Sequence, residues 1–236
     1  MRIDGEYLVI DEQFKPRKIT GRSFVGLIGA NQYQKVGDTL LLMHKIVKEE
    51  VDEKWLKRGD FAEKLVNFVY TRDGHECTTY DKKEVNYDNF DFDNFGGLID
   101  IELLKEKTLI EVKSKSLDKF ETIVEKPPIE EVYQGLYYGF LRKYDKIIME
   151  WIFFDPMTED EVFKGKKPTT LRYLKRHTVK YDVDPSHMRK MLQLANQINK
   201  EFEETHKIHL SVISDQMLKK LGLVRPLDFD ASELNF

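Results

Sequence analysis

Two short apolar segments separated by three charged residues constrain this chain more than any other feature. Leu98-Ile-Asp-Ile-Glu-Leu-Leu and Thr108-Leu-Ile-Glu-Val-Lys alternate over strand length, with only Lys105, Glu106 and Lys107 between them. The spacing predicts an antiparallel pair. If Leu104 closes against Lys107, register fixes every other partner, because side chains on a strand alternate between faces. Ile99 then faces Val112 and Ile101 faces Ile110, a face that belongs in a core. On the other face Asp100 meets Glu111, with Lys113 two residues farther on. Lys105-Glu106 is not a favoured hairpin turn, and a slip of one residue would separate the acids.

Like charges directly opposite on a sheet repel, and a fold tolerates them more readily with a cation between them. Oxygen-only ligands of this kind suit magnesium or manganese. A metal so held activates water and neutralises charge on a phosphate, and Lys113 stands where it would orient that water or stabilise the phosphate. The competing reading is a solvated strand face, since Asp followed by Glu-x-Lys arises readily in a chain that is 34% charged.

Around this pair the sequence reads as one domain over residues 1–236, with about 228–236 as a mobile acidic tail. Thr20 is a good N-cap for a short helix to Ile28, and helical patterns follow over Asp38–Glu50 and Glu53–Tyr70, the latter stopped by Asp73-Gly74. Beyond Pro127-Pro128 the pattern predicts a helix over Ile129–Tyr144, strands over Lys146–Phe154 and Leu171–Val183, and a long helix over Ser186–Thr205. Helices and strands in this order predict an α/β domain with a mixed central β-sheet flanked by helices. Gly59 and Glu63 stand four apart on the second helix, with Glu63 away from the Phe61/Leu65 stripe; Gln134 and Tyr138 stand four apart beside an apolar stripe of Tyr133, Leu136, Tyr137 and Phe140. Gly96-Gly97, just before the first strand, allows close approach of another backbone or a ligand.

Composition narrows the chemistry. The single Cys77 among 236 residues excludes an internal disulfide, a Cys-rich zinc site and a cysteine-ligated iron–sulfur cluster, which points to a reducing compartment. The N-terminal residues lack a basic-then-apolar signal pattern and no apolar run reaches the ~18 residues of a membrane helix, so the expectation is cytoplasmic, without a membrane partner. A net charge of −4 gives no global pull toward nucleic acid. Any such binding rests on local patches, of which Lys164, Lys166, Lys167, Arg172, Lys175, Arg176 and Lys180 form the densest. For Tyr87, Phe90, Phe92 and Phe95, core or loop anchoring competes with stacking on a frayed strand.

In chain order these features are Arg58-Gly-Asp-Phe-Ala-Glu63, Gly97-Leu-Ile-Asp100, Ile110-Glu-Val-Lys113, Val132-Tyr-Gln134-Gly-Leu-Tyr-Tyr138 and Trp151-Ile-Phe-Phe-Asp-Pro156, preceded by Ile19-Thr-Gly-Arg-Ser-Phe. This ordered set resembles the PD-(D/E)XK nucleases of the RecB-like branch, nearest to the YqaJ-type viral recombinases and lambda-type phage exonucleases, from Ile19 to about Lys190. The resemblance departs at Asp100, which follows Ile99 rather than a proline. It implies a restriction-endonuclease-like core and a magnesium- or manganese-dependent deoxyribonuclease. Asp100, Glu111 and the Val112 carbonyl would bind the metal and Glu63 would complete or bridge a second one. Lys113 would serve the attacking water, and Gln134 would position water or phosphate. Tyr138 would lie at the DNA side of the same motif; Arg172, Lys175 and Arg176 are DNA candidates from the local basic run alone, where a solvated surface is the competing reading. An early basic residue would meet the 5′ phosphate, with Lys15, Arg17, Lys18 and Arg22 all in contention. It further implies processive 5′-to-3′ digestion of linear double-stranded DNA from its ends by a homotrimer, in phage-type recombination, with a possible single-strand annealing protein as partner and host cytoplasm as the setting. The alternatives are a structure- or site-specific endonuclease on the same fold and a catalytically inactive DNA-binding module.

Overall fold

The computed structural model describes residues 1–49, 51–80, 94–166 and 174–225. The chain divides into two compact units, one of Met1–Glu49 with the chain from Arg189, the other Glu50–Met188. In the first, β1 (Arg2–Asp4), β2 (Tyr7–Val9) and β8 (Lys207–His209) form a small antiparallel sheet. Its helices are α1 (Gly21–Leu27), α2 (Val36–Met43), most of α7 (Pro185–Thr205) and α8 (Asp215–Lys220). Thr20 precedes α1 as expected, and its N–H donates to Ser23 Oγ at 2.8 Å. The α2 helix stops well short of Glu50. Lys45 turns into the left-handed region at φ 58°, and the Ile46 N–H returns to the Leu41 carbonyl, closing the last turn. His44 lies buried with Nε2 on Asn199 Oδ1 at 2.9 Å.

The second unit holds a five-stranded sheet in the order β3-β4-β5-β6-β7, made of β3 (Cys77–Thr78), β4 (Ile101–Leu103), β5 (Thr108–Ser116), β6 (Lys146–Phe154) and β7 (Lys175–Asp182). The β5–β6 pair is parallel and the other pairs are antiparallel, so the sheet is mixed. The α/β expectation holds. Among the described residues its helices are α3 (Glu53–Arg72), α4 (Phe120–Glu125), α5 (Ile129–Leu141) and α6 (Pro156–Phe163), with the first residues of α7. Ile101 pairs with Ile110 and Leu103 with Thr108, the register anticipated from the sequence. The Ile101, Ile110 and Val112 side chains enter a core with Ile148, Ile152 and Phe154, closed by Ala62 and Val66 of α3.

Both faces of the central strands are covered. Consequently the acid face is not solvated, and Glu111 is only 1% exposed. The stripe that α5 buries also differs from the expected one. Val132, Gly135, Tyr138 and Gly139 are buried with Tyr137, whereas Tyr133, Leu136 and Phe140 are half-buried. Two glycines explain it: a Cβ on Gly135 would fall 2.7 Å from Met149 Sδ and 2.8 Å from Ile147 Cδ1, and one on Gly139 would fall 2.6 Å from Ile147 Cγ2. A residue without a side chain gives no hydrophobic signal, yet it lets the helix axis sink onto the sheet. On α3 the buried positions are Arg58, Ala62 and Val66. Glu63, next to this stripe, is half-buried, while Phe68 projects to solvent.

Candidate active site

Strand β4 is shorter than its apolar pattern because of how Asp100 is used. The Asp100 side chain turns back and its Oδ2 accepts the Val112 N–H at 2.8 Å, taking the place of a further backbone rung. Since the N–H and C=O of one strand residue point to the same side, the Val112 carbonyl is aimed toward Asp100 as well. The approach to Asp100 is fixed from α5. Tyr137 donates its hydroxyl to the Gly96 carbonyl at 2.8 Å and accepts the Gly96 N–H at 3.2 Å. Gly97 has φ 141°, and a Cβ there would sit 2.5 Å from Tyr138 Cε1. The partner that the two glycines admit is thus the Tyr137-Tyr138 pair, and Tyr138 is buried against Gly97.

Glu111 lies beneath α5, with Gly135 leaving room above its Cβ. One carboxylate oxygen accepts from Lys113 Nζ at 2.7 Å, and the same ammonium donates to Gln134 Oε1 at 2.9 Å. The other oxygen, Oε2, is buried without a hydrogen-bond partner. Burial pushes the Glu111 carboxyl above the ordinary carboxylate range, to about 8, with the Asp100 charge adding to it and Lys113 opposing; Glu63 adds a further raising contribution. Burial by itself would lower Lys113, but Glu111, Asp100 and Glu131 together raise it, so it stays a cation. Glu63 is set from α3, whose Arg58 reaches the far end of β5. The Arg58 guanidinium donates to the Ser114 carbonyl and to Ser116 Oγ, each at 3.1 Å, and pairs with Glu159 of α6. Sequence reasoning named Arg58 only as part of a motif. Its sole signal was its place five residues before Glu63.

The structure therefore brings Asp100, Glu111, Val112, Lys113 and Gln134 together, with Glu63 close enough to act on Glu111 electrostatically. Among the described residues no group of three or more His, Cys, Asp or Glu side chains is gathered as a metal cluster. The oxygens that could face a cation are instead those of two carboxylates and a strand carbonyl, and the orphaned Glu111 Oε2 is a buried acceptor that a hard cation would satisfy. The basic candidates are placed differently. Arg176 pairs with buried Glu150, its Nε 2.8 Å from Oε2, and Lys175 lies 3.6 Å from Glu121 and over the Phe120 ring. Arg22 forms a two-point pair with Glu49, and Arg17 is exposed; both belong to the first unit. Arg172, Lys167, Tyr87, Phe90, Phe92 and the 228–236 tail lie outside the described residues, whereas Phe95 is buried beside Tyr137.

Compared with solved structures, the chain matches an alkaline exonuclease from Laribacter hongkongensis with a TM-score of 0.55 at 12% identity, over 87% of this chain and 93% of that one. A phage-related exonuclease from Haemophilus somnus 129PT matches with a TM-score of 0.52 at 14% identity, over 88% and 97%. The chain shares its α/β fold with these two exonucleases. The Laribacter enzyme has also been solved in complex with dAMP, and that structure matches with a TM-score of 0.53 at 13% identity, over 87% of this chain and 93% of that one. No family model matches the chain. Among curated sequences it is 33% identical over 128 residues to the uncharacterized protein MG373 of Mycoplasma genitalium, and 33% identical over 105 residues to the Mycoplasma pneumoniae homolog. The matches span 46% and 37% of those proteins, less than half of their length. Among the described residues no helix is long and apolar enough to cross a membrane.

Proposed function

We propose that this chain is a divalent-metal-dependent deoxyribonuclease of the PD-(D/E)XK type, with Asp100, Glu111, the Val112 carbonyl and Glu63 holding magnesium or manganese. The observation that carries the reading is Glu111, one oxygen on Lys113 and the other buried without a partner, on the face shared with Asp100. When bound, the ion supplies a lowered water pKa and charge neutralisation at the phosphate. Lys113, kept cationic by its acidic neighbours, offers its remaining N–H to the phosphate or to the attacking water. Gln134 fixes that ammonium through its Oε1 and holds its amide N–H groups ready to orient the water. Asp100 orients the Val112 peptide and presents its carboxylate to the cation.

The finer reading is processive 5′-to-3′ digestion of linear double-stranded DNA by a homotrimer in phage-type recombination, working beside a single-strand annealing protein. It draws on the ordered motifs and on the fold shared with exonucleases. Incubation of linear and covalently closed plasmid with magnesium tests it. Loss of the linear form alone is expected. Nicking or linearisation of the closed circle would make the chain an endonuclease on the same fold, and intact DNA in both arms would make it a binding module.

A further inference from the structure

On the face of β5 that carries Glu111 and Lys113, the next side chain is Lys115. In the parallel pairing with β6, Lys113 stands beside Trp151 and Lys115 beside Phe153, and Phe153 stands beside Lys175 of β7. Glu131, in the first turn of α5, reaches this row. One of its carboxylate oxygens accepts from the Lys115 ammonium, and the other accepts the Trp151 indole N–H at 2.7 Å. Trp151 is fully buried and the Glu131 side chain is 14% exposed, so the carboxylate is held at both oxygens and the ammonium is held with it. Lys115 itself remains 28% exposed. An ammonium has three donors, and a single contact to Glu131 leaves two for another anion.

A brace between α5 and β6 needs only the bond between Glu131 and the indole. The pair with Lys115 adds a fixed cation open to solvent, about 6.6 Å along the strand from Lys113. With their backbones that far apart along the strand, and with Lys113 Nζ held by Glu111 and Gln134 and Lys115 Nζ held by Glu131, the two ammonium groups are placed to attend successive phosphates. Lys175, two strands away or about 9.6 Å across the sheet, continues the row, with its ammonium 4.0 Å from the Phe120 ring centroid.

We propose that Lys115 is a binding residue for the DNA phosphate next to the one that Lys113 attends, with Glu131 and Trp151 as positioning residues that hold its ammonium in place. This rests on the nuclease reading above. Glu131 fixes the direction of the ammonium, and the two remaining N–H groups meet the non-bridging oxygens. Such a contact adds affinity and register along the strand without reading sequence.

The test uses the full chain in an Asp100→Asn background, so that DNA is bound and not cut, with a 5′-phosphorylated duplex bearing a fluorophore. Kd is measured from 50 to 200 mM salt. Lys115→Ala is expected to weaken binding roughly tenfold at the lowest salt and to reduce the magnitude of the log–log salt slope by about 0.7 to 0.9. Lys115→Arg is expected to keep the slope. Glu131→Gln is expected to keep it too while lowering Tm, because the cation survives and its anchor is weakened. If Lys115→Ala does not fold, Lys115→Met keeps the stem without the charge and reads the same slope. An unchanged slope in a folded Lys115→Ala or Lys115→Met protein, with the parent binding normally, would overturn the proposal and leave the nuclease reading standing. A parent that binds no DNA would overturn both.

Discussion

Burial, then the charge of Asp100 and to a smaller extent that of Glu63, push the Glu111 carboxyl up against the opposing pull of Lys113, so that without metal Glu111 keeps its proton. The folded chain then binds a proton that the unfolded chain releases at the ordinary value of 4.5. Stability present below that value is lost as pH rises toward about 8, because unfolding releases the proton across this window. Melts in EDTA from pH 5 to 9 are expected to show Tm falling for the native sequence and a flatter curve for Glu111→Gln; parallel curves would remove Glu111 from the account. Asp100→Asn keeps an acceptor for the Val112 N–H and is expected to leave Tm nearly unchanged. By contrast Asp100→Ala gives up that bond, about 1 kcal/mol, against the repulsion it relieves. Asp100→Asn, Glu111→Gln and Lys113→Ala are each expected to lower the cleavage rate by at least about a hundredfold, read on a linear duplex. A native rate in any one removes that residue from the chemistry.

At the scale of elements, two helices set the site from opposite faces of β5, and their glycines have opposite meanings. Gly135 is needed where it is: any side chain would strike Met149 and Ile147 and lift α5, and Gln134 with it, from Glu111. Gly135→Val is expected to cost about 1–3 kcal/mol and most of the activity. Gly59 on α3 has nothing within 4 Å of a Cβ, so Gly59→Ala is expected to raise stability by about 0.4–1 kcal/mol. If Gly59→Ala also loses activity, the bare backbone there serves the substrate. The same contrast explains what could be read in advance. The β4–β5 register was legible because alternating Ile and Val positions admit one pairing that buries them all. The face of α5 was not, because Gly135 and Gly139 carry no hydrophobic mark and their closeness to β6 depends on the sheet. Nor was the end of β4, where the Asp100 side chain replaces a backbone rung. The side chains gathered around Glu111 were legible as an ordered series of short motifs, whereas the Glu131 anchor on Lys115 and Trp151 joins three elements that no local spacing connects.

For the whole molecule, the described chain forms two compact units, with Asp100, Glu111 and Lys113 in one and the early basic residues Arg17 and Arg22 in the other. Enclosure of DNA by a homotrimer would offset the weak electrostatic hold of a subunit with net charge −4. Light scattering at micromolar concentration is expected to give three times the 28.0 kDa of one chain. A monomeric mass would remove enclosure and leave the hydrolytic chemistry in place. A carboxylate pair that would hold an exchangeable hard cation is the centre of the proposed chemistry. The most direct measurement is the rate of hydrolysis of an end-labelled linear duplex against magnesium concentration, for the native sequence and for Asp100→Asn. The native chain is expected to be silent in EDTA and to saturate with magnesium, and Asp100→Asn to stay at the EDTA level throughout. Cleavage by the native chain in excess EDTA, or by Asp100→Asn at the native rate, would contradict it.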